Sequence, residues 1–134
     1  MTHRDFPDTA QADIAALLPL AHRLADAAGA AALAHFRADG LAAEDKDGIA
    51  RFDPVTAADR EAEAAIRAIL AAERPDDGIL GEEDVRVESR SGFTWVLDPV
   101  DGTRAFISGL PTWGVLIALD DGEAGRIGIV DQPF

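Results

Sequence analysis

Residues 95–109 have the sequence WVLDPVDGTRAFISG, in which an apolar strand leads directly into two carboxylates. Trp95 begins the strand, and the acids are Asp98 and Asp101. Pro99 has a fixed φ and restricts the residue before it to extended backbone, so we expect the strand to end at Asp98. The stretch therefore predicts a rigid turn that holds two acidic side chains.

The residues after the second acid favour the binding of a ligand. Gly102 lets the backbone approach a ligand where any side chain would intrude. From Thr103 the pattern predicts a short helix, which ends at Gly109 before Pro111. Carboxylates suit a hard divalent cation, and free N–H groups at a helix start suit a phosphate. A site that offers both suggests metal-assisted phosphoryl transfer. The alternative is an ordinary turn, because Asp-Gly dipeptides and acids that cap helices are common structural features.

A second apolar strand also ends in acidic residues, in the sequence GILGEE at residues 78–83. Glu82 and Glu83 follow this strand abruptly, as Asp98 follows the later one. Two strands that end in carboxylates are suited to converge on one cation. Adjacent glutamates are also common as solvated surface charge, which stays open as the alternative.

The first predicted helix covers about residues 11–38, where apolar side chains recur at helical spacing. Pro19 lies inside this pattern and is expected to kink or divide the helix. Gly40 is expected to cap its end. Residues 40–54 are charged and are predicted to form a loop or irregular hairpin.

The second predicted helix begins with Thr56-Ala-Ala-Asp59, which fits a capping box. In that motif the threonine and an acid three residues later satisfy free backbone N–H groups. We expect the helix to run to about Glu73, because Arg74 precedes Pro75. The cap alone is a sufficient explanation of Thr56 and Asp59 in this pattern.

Three further strands complete the predicted sheet. They are expected at about 93–97, 113–119 and 126–130, and the turn Asp120-Asp121-Gly122 makes the last two an antiparallel hairpin. Two helices and at least four strands predict an α+β fold. We expect a two-layer sandwich in which the helices cover one face of a mainly antiparallel sheet, with the acidic strand ends gathered at its edge.

The composition narrows the classes of function. The chain has 134 residues, 48% of them hydrophobic, which fits one folded domain with its own core. The absence of cysteine excludes disulfides, zinc-thiolate sites and thiol nucleophiles. Twelve basic against 25 acidic residues give a net charge of -13, which argues against a nucleic-acid partner. An acidic protein that acts on an anionic substrate needs metal ions to neutralise its site. Without a membrane-length apolar run or a signal-peptide pattern, we expect a cytoplasmic protein with no membrane partner.

Three blocks of the sequence resemble the magnesium-dependent, lithium-sensitive phosphomonoesterases typified by inositol monophosphatase. In order, they are DPVTAAD at residues 53–59, GEE at residues 81–83 and WVLDPVDGT at residues 95–103. The resemblance covers nearly the whole chain from about Leu17. Within that family, the RAFISGLP that follows the third block and the closing DQP look more like the histidinol-phosphate phosphatase branch than the inositol phosphatases.

The resemblance implies a magnesium site built from oxygen ligands. Glu82, Asp98 and the backbone carbonyl of Val100 would hold a first magnesium ion. Asp98 and Asp101 would hold a second, so that Asp98 bridges the two ions. A complete enzyme of the family would hold two or three such ions and would act on a small phosphorylated metabolite.

The same resemblance implies catalytic roles. Glu82 and Thr103 would orient the attacking water, with Asp59 hydrogen-bonded behind Thr103. The backbone N–H groups of Gly102 and Thr103 would bind the phosphate. A threonine that is backed by a carboxylate can take or relay the proton of that water.

The resemblance also implies that residues 1–134 are a single domain, the N-terminal metal-binding half of a phosphatase whose C-terminal half is absent from this chain. Members of the family are roughly twice this length. Their C-terminal half carries a further aspartate of the second metal site and much of the pocket for the alcohol. Two basic residues are further site candidates here: Arg104, and Lys46, which corresponds at a longer spacing to a basic residue that the family places before the first block.

Three functions stay open from the sequence. The first is hydrolysis of L-histidinol phosphate to histidinol and phosphate, a step of histidine biosynthesis. The second is the same chemistry on inositol-1-phosphate or another sugar phosphate. The third is a truncated, non-catalytic chain that binds metal or a partner, which an apolar face left open would favour and self-association would reveal. Full-length members of the family are commonly dimers, so a homodimer is a further expectation.

Overall fold

The computed structural model describes residues 8–38 and 54–134, with side chains from Ile14 and from Ala57 onward. Its elements are helix α1 (Asp8–Leu33), helix α2 (Pro54–Glu73), strand β1 (Gly78–Leu80), strand β2 (Thr94–Asp101), helix α3 (Thr103–Ile107), strand β3 (Gly114–Asp120) and strand β4 (Gly125–Asp131). Each helix and strand expected from the sequence is present, with ends shifted by a few residues. The predicted cap at Gly40, the loop before Pro54 and the candidate Lys46 lie outside the described residues.

Helix α1 is continuous through Pro19, so the proline does not divide it. Proline removes the hydrogen bond to the carbonyl four residues earlier, which belongs to Ala15. Both Pro19 and Ala15 are exposed, and the carbonyl that loses its helical partner is therefore open to water. The apolar side of the helix, with Leu17 and Leu20 buried, continues across this point and keeps the two turns aligned.

Helix α2 begins at Pro54, so the predicted capping box is wrong. Thr56 lies inside the first turn rather than at the cap, and its side chain is outside the described residues. Proline is favoured at the first helical position because no partner is needed there for its missing N–H. Asp59 is 5% exposed and lies deeper in the helix, where it faces the interior rather than the helix start.

The four strands form one sheet in the order β1-β2-β3-β4. β1 pairs with β2 in parallel, whereas β2–β3 and β3–β4 are antiparallel, which confirms the predicted hairpin. The parallel register places Leu80 beside Val96. Two residues further along the same register, Glu82 comes level with Asp98. The two acidic strand ends are therefore carried side by side.

Strand β2 continues past Pro99 to Asp101, so the prediction that it ends at Asp98 is wrong. Asp98 pairs with Leu116 and Asp101 with Gly114, which leaves one extra residue on β2. This irregularity is a β-bulge. The bulge accommodates Pro99, because an unpaired position needs no ladder hydrogen bond from the proline nitrogen.

Helices α1 and α2 pack against each other and cover one face of the sheet, as expected of a two-layer α+β fold. The buried side chains between the layers include Leu24, Ala28, Ile66, Leu70, Trp95, Leu97, Ile117 and Leu119. Successive strand residues point to opposite faces, so the other face carries Leu80, Val96 and Val130 with 39%, 38% and 78% of their surface exposed. Within the two described ranges, no helix has the length and apolar character needed to cross a membrane.

Candidate metal centre

Three carboxylates from three different elements meet beside the parallel strand pair. Asp59 lies on α2, Glu82 in the loop after β1 and Asp98 on β2, and one oxygen of each lies within 4.8 Å of the others. The parallel register brings Glu82 alongside Asp98. Helix α2 packs over β2 and brings Asp59 to the same point. The fold thus joins two predicted metal ligands to an acid that the sequence pattern had assigned to a helix cap.

Asp59 is the most perturbed acid of this cluster. Burial raises the pKa of Asp59 to about 7, and the neighbouring carboxylates of Glu82, Glu83 and Asp98 act in the same direction. The backbone N–H of Val100 lowers the pKa, but its effect is smaller. Within the described part of the chain, the buried Oδ1 of Asp59 has no hydrogen-bond partner. Its hydrogen bond to Thr103 stays a prediction.

The pKa values of Glu82 and Asp98 are raised as well. For Glu82 the causes are burial first, then the charge of Asp98 and of other nearby acids. For Asp98 the causes are burial and then the charge of Asp101. Asp101 is exposed, and its charge contributes to the raised pKa values of both Glu82 and Asp98, so it belongs to the same cluster of acidic groups.

This donor set fits a divalent cation such as magnesium. Hard cations of this type bind carboxylate and carbonyl oxygens, and the three converging groups offer only oxygens. The partnerless oxygen of Asp59 and the mutual repulsion of the acids are both features that a bound cation would relieve. The participation of Asp101 and of the Val100 carbonyl stays a prediction.

The turn between β2 and α3 requires glycine at position 102. Gly102 has φ +86°, in the left-handed region, and a Cβ there would lie 2.9 Å from the carbonyl oxygen of Thr112 and 3.2 Å from Cα of Trp113. The close approach of these two backbones fixes the direction in which the chain leaves Asp101. Gly102, Thr103 and Arg104 are all exposed beside the acids, where a ligand has access to them.

The loop that carries Glu82 is held by Glu63 of α2, a residue that the sequence patterns did not single out. Glu63 on α2 is 1% exposed and accepts hydrogen bonds from the backbone N–H groups of Glu82, Glu83 and Asp84. Its neighbour in the helix, Arg67, pairs with it at 3.2 Å. A charged pair at i and i+4 on the apolar side of the helix was the one available signal in the sequence. By contrast, Glu83 is exposed and lies 3.8 Å from Arg60.

Comparison with known sequences identifies relatives over most of the chain. The model of the Inositol monophosphatase family matches residues 13–134. A histidinol-phosphatase of Chlorobaculum parvum is 44% identical over 117 residues, which cover 87% of this chain and 44% of that protein. An inositol-1-monophosphatase of Mycobacterium leprae is 46% identical over 71 residues, which cover 49% of this chain and 24% of that protein.

Comparison with solved structures agrees with the sequence matches. An inositol monophosphatase from Zymomonas mobilis superposes with a TM-score of 0.71 at 48% identity, covering 92% of this chain and 44% of that one. The arrangement of helices and mixed sheet described above is therefore shared with a solved relative. The chain spans less than half the length of each of these three proteins.

Proposed function

Since this chain belongs to the inositol monophosphatase family, we propose that it acts in the magnesium-dependent hydrolysis of a small phosphate monoester. The observation that carries the proposal is the convergence of Asp59, Glu82 and Asp98, whose oxygens lie within 4.8 Å of one another. Phosphate monoesters hydrolyse very slowly without a catalyst, so the site must both activate water and neutralise charge. The cluster offers carboxylate oxygens that would hold a divalent cation, and such a cation would both activate water and neutralise charge.

Glu82, Asp98 and the carbonyl of Val100 would hold a first magnesium ion, and Asp98 and Asp101 would hold a second. Asp59 lies close to Glu82 and Asp98. Bound magnesium would lower the pKa of a water and neutralise charge on the phosphate. The chain's own contribution is to fix these oxygens in advance on a helix, a strand and a braced loop. Pre-positioned ligands lower the cost of assembling the site around the ion.

The residues next to the acids have complementary roles in the proposal. The carboxylate of Glu82 and the hydroxyl of Thr103 orient the water, and Asp59 takes part in the movement of its proton. Without metal the pKa of Asp59 is raised to about 7; a cation beside it would lower that pKa and favour the ionised carboxylate, which can accept a proton. The backbone N–H groups of Gly102 and Thr103 bind the phosphate, and Arg104 is a further candidate because it is exposed beside them.

We propose L-histidinol phosphate as the substrate, with histidinol and phosphate as products. Support comes from the sequence RAFISGLP after the third motif and from the histidinol-phosphatase relative at 44% identity. Inositol-1-phosphate is the second candidate, because the structural relative at 48% identity is an inositol monophosphatase. The phosphate chemistry is common to both, so the alcohol portion distinguishes them.

The test combines metal binding with phosphate release. Calorimetry measures Mg²⁺ binding by this chain, and phosphate release is followed with histidinol phosphate and with inositol-1-phosphate. The variant Asp98→Asn removes a proposed ligand, and Asp26→Asn, at an exposed aspartate on α1, is the matched control. Magnesium-dependent release from histidinol phosphate that only Asp98→Asn abolishes supports the proposal.

The other outcomes are equally informative. Release from inositol-1-phosphate alone would favour the second candidate. Magnesium binding without release from either compound would mean a non-catalytic metal-binding chain. Wild-type protein that binds no Mg²⁺ would contradict the metal centre itself.

A further inference from the structure

Glu63 is a charged side chain buried in α2, with 1% of its surface exposed. Its Oε1 accepts hydrogen bonds from the backbone N–H groups of Glu82 at 2.8 Å and Glu83 at 3.3 Å, and its Oε2 accepts one from Asp84 at 2.9 Å. Arg67 donates from Nε to the same Oε2 at 3.2 Å. One carboxylate therefore satisfies three successive peptide groups of the loop that follows β1.

A buried carboxylate is costly unless it is fully hydrogen-bonded, so this arrangement is a strong constraint on the loop. The loop lies beyond the end of β1 at Leu80, where the sheet no longer provides partners for its peptide groups. Arg67 also donates from Nη1 to the carbonyl of Val85 at 2.8 Å. The pair of Glu63 and Arg67 thus fixes the loop at both ends.

The glycine at position 81 is required by this contact. A Cβ on Gly81 would lie 2.5 Å from Cδ of Glu63, which is too close for two carbon atoms, and 3.0 Å from its Oε2, so the hydrogen-bonded carboxylate or the loop would have to shift. Gly81 is not among the residues with positive φ, so its backbone conformation alone does not demand glycine. The contact with Glu63 in α2 thus explains the glycine of the Gly-Glu-Glu sequence.

We infer that Glu63 is a positioning residue for the metal centre, which holds the main chain of Glu82 so that its carboxylate faces Asp59 and Asp98. Asp59 and Glu63 are four residues apart and lie on one side of α2. The helix therefore places the Asp59 carboxylate directly and the Glu82 carboxylate through the loop. This inference rests on the proposed function only where it concerns metal; the bracing of the loop is independent of it.

The test uses two variants of the whole chain and one matched control. Glu63→Gln keeps the shape but puts an NH₂ group against backbone donors whichever way the amide turns. Glu63→Asp keeps the charge but is too short to reach all three N–H groups. Glu61→Gln removes a charge from the same helix at an exposed residue that pairs with His35. Mn²⁺ serves as the probe, because it takes the same oxygen ligands and its free form can be counted by electron paramagnetic resonance.

We expect both Glu63 variants to bind Mn²⁺ about tenfold more weakly than wild type, with Glu61→Gln unchanged. Without metal, the amides of Glu82, Glu83 and Asp84 should exchange with solvent at least about tenfold faster in the Glu63 variants, while core amides of β2 keep their protection. A purely structural role would lower the melting temperature and leave the affinity of the folded fraction intact. Unchanged Mn²⁺ affinity in Glu63→Asp would overturn the positioning role.

Two further outcomes keep the inference separate from the proposed function. If wild type binds no Mn²⁺, the metal centre fails, and the exchange of the three loop amides alone decides whether Glu63 holds the loop. If the Glu63 variants do not fold, amide hydrogen exchange of Glu82, Glu83 and Asp84 in the wild-type chain decides whether Glu63 holds the loop. Slow exchange of these amides in a loop outside the sheet supports the bracing, and unprotected rates refute it.

Discussion

The carboxylates of Asp59 on α2 and Asp98 on β2 approach each other within 4.8 Å, although 38 residues separate them in the chain. Both pKa values are raised, and the first cause in each case is burial. Like charges held together in a partly buried site destabilise the ionised fold. The metal-free chain therefore carries a repulsion that a bound cation would convert into attraction.

This repulsion predicts how stability depends on pH in the absence of metal. The pKa of Asp59 rises from 3.8 to about 7 on folding, so between these values the folded chain holds more protons than the unfolded chain. The stabilisation that comes from protonated Asp59 is fully present below pH 3.8 and is lost as pH rises through about 7. In Asp59→Asn, urea unfolding between pH 5 and 8 should show a slope that is shallower by about 1 kcal/mol per pH unit.

The control for this measurement is Asp26→Asn, which removes an exposed acid from α1 and should keep the wild-type slope. Magnesium should raise the unfolding free energy of wild type most at pH 8, where the acids are ionised. A wild-type slope that Asp59→Asn leaves unaltered would contradict the assigned ionisation of Asp59.

Asp101→Asn should separate metal binding from stability. The side chain of Asp101 is exposed, and the substitution removes charge without opening the core. We expect the free energy of unfolding to change by less than about 0.5 kcal/mol. Magnesium affinity, or turnover where it is present, should fall at least about tenfold. Calorimetry and urea unfolding on the same preparation measure both, and an unchanged affinity would remove Asp101 from the metal centre.

The contact between Gly81 and Glu63 predicts strongly non-additive stability effects. Gly81→Ala should destabilise the wild-type chain, because its Cβ overlaps the Glu63 carboxylate. In a Glu63→Ala background the same substitution has room and should cost much less. A double-mutant cycle by urea unfolding should give a coupling of about 1–3 kcal/mol. Additive effects would mean that the two residues are not in contact in solution.

Of the three glycines 92, 102 and 128, Gly102 should be the least replaceable. Gly102→Ala adds the strain of a left-handed backbone, roughly 1–2 kcal/mol, to a collision with the Thr112 carbonyl. Gly92 has a similar φ of +93° with no atom within 4 Å, so Gly92→Ala measures the strain alone. Gly128, in β4, has open space and no positive φ, so Gly128→Ala should be harmless. The order of melting temperatures should be Gly102→Ala lowest, then Gly92→Ala, then Gly128→Ala.

The sequence by itself was sufficient for the elements and for part of the site. Apolar periodicity predicted α1, end signals predicted α2, and apolar runs closed by acidic or turn residues predicted the strands, because these patterns reflect local geometry. The abrupt acids after two strands pointed to Glu82 and Asp98, which the fold brings together. A short strand followed directly by a carboxylate is defined by a few neighbouring residues, so it can be predicted without knowledge of the tertiary structure.

Tertiary packing decided what the local patterns could not. Asp59 looked like part of a helix cap, and only the packing of α2 over β2 turned it towards Glu82 and Asp98. Pro99 indicated a strand end, yet pairing with β3 continued through a bulge that needs no N–H from it. The sequence patterns did not single out Glu63, and the loop peptide groups that bind its buried carboxylate lie about 20 residues further along the chain. In each case the deciding partner lies far away in the chain, and a local pattern holds no information about such a partner.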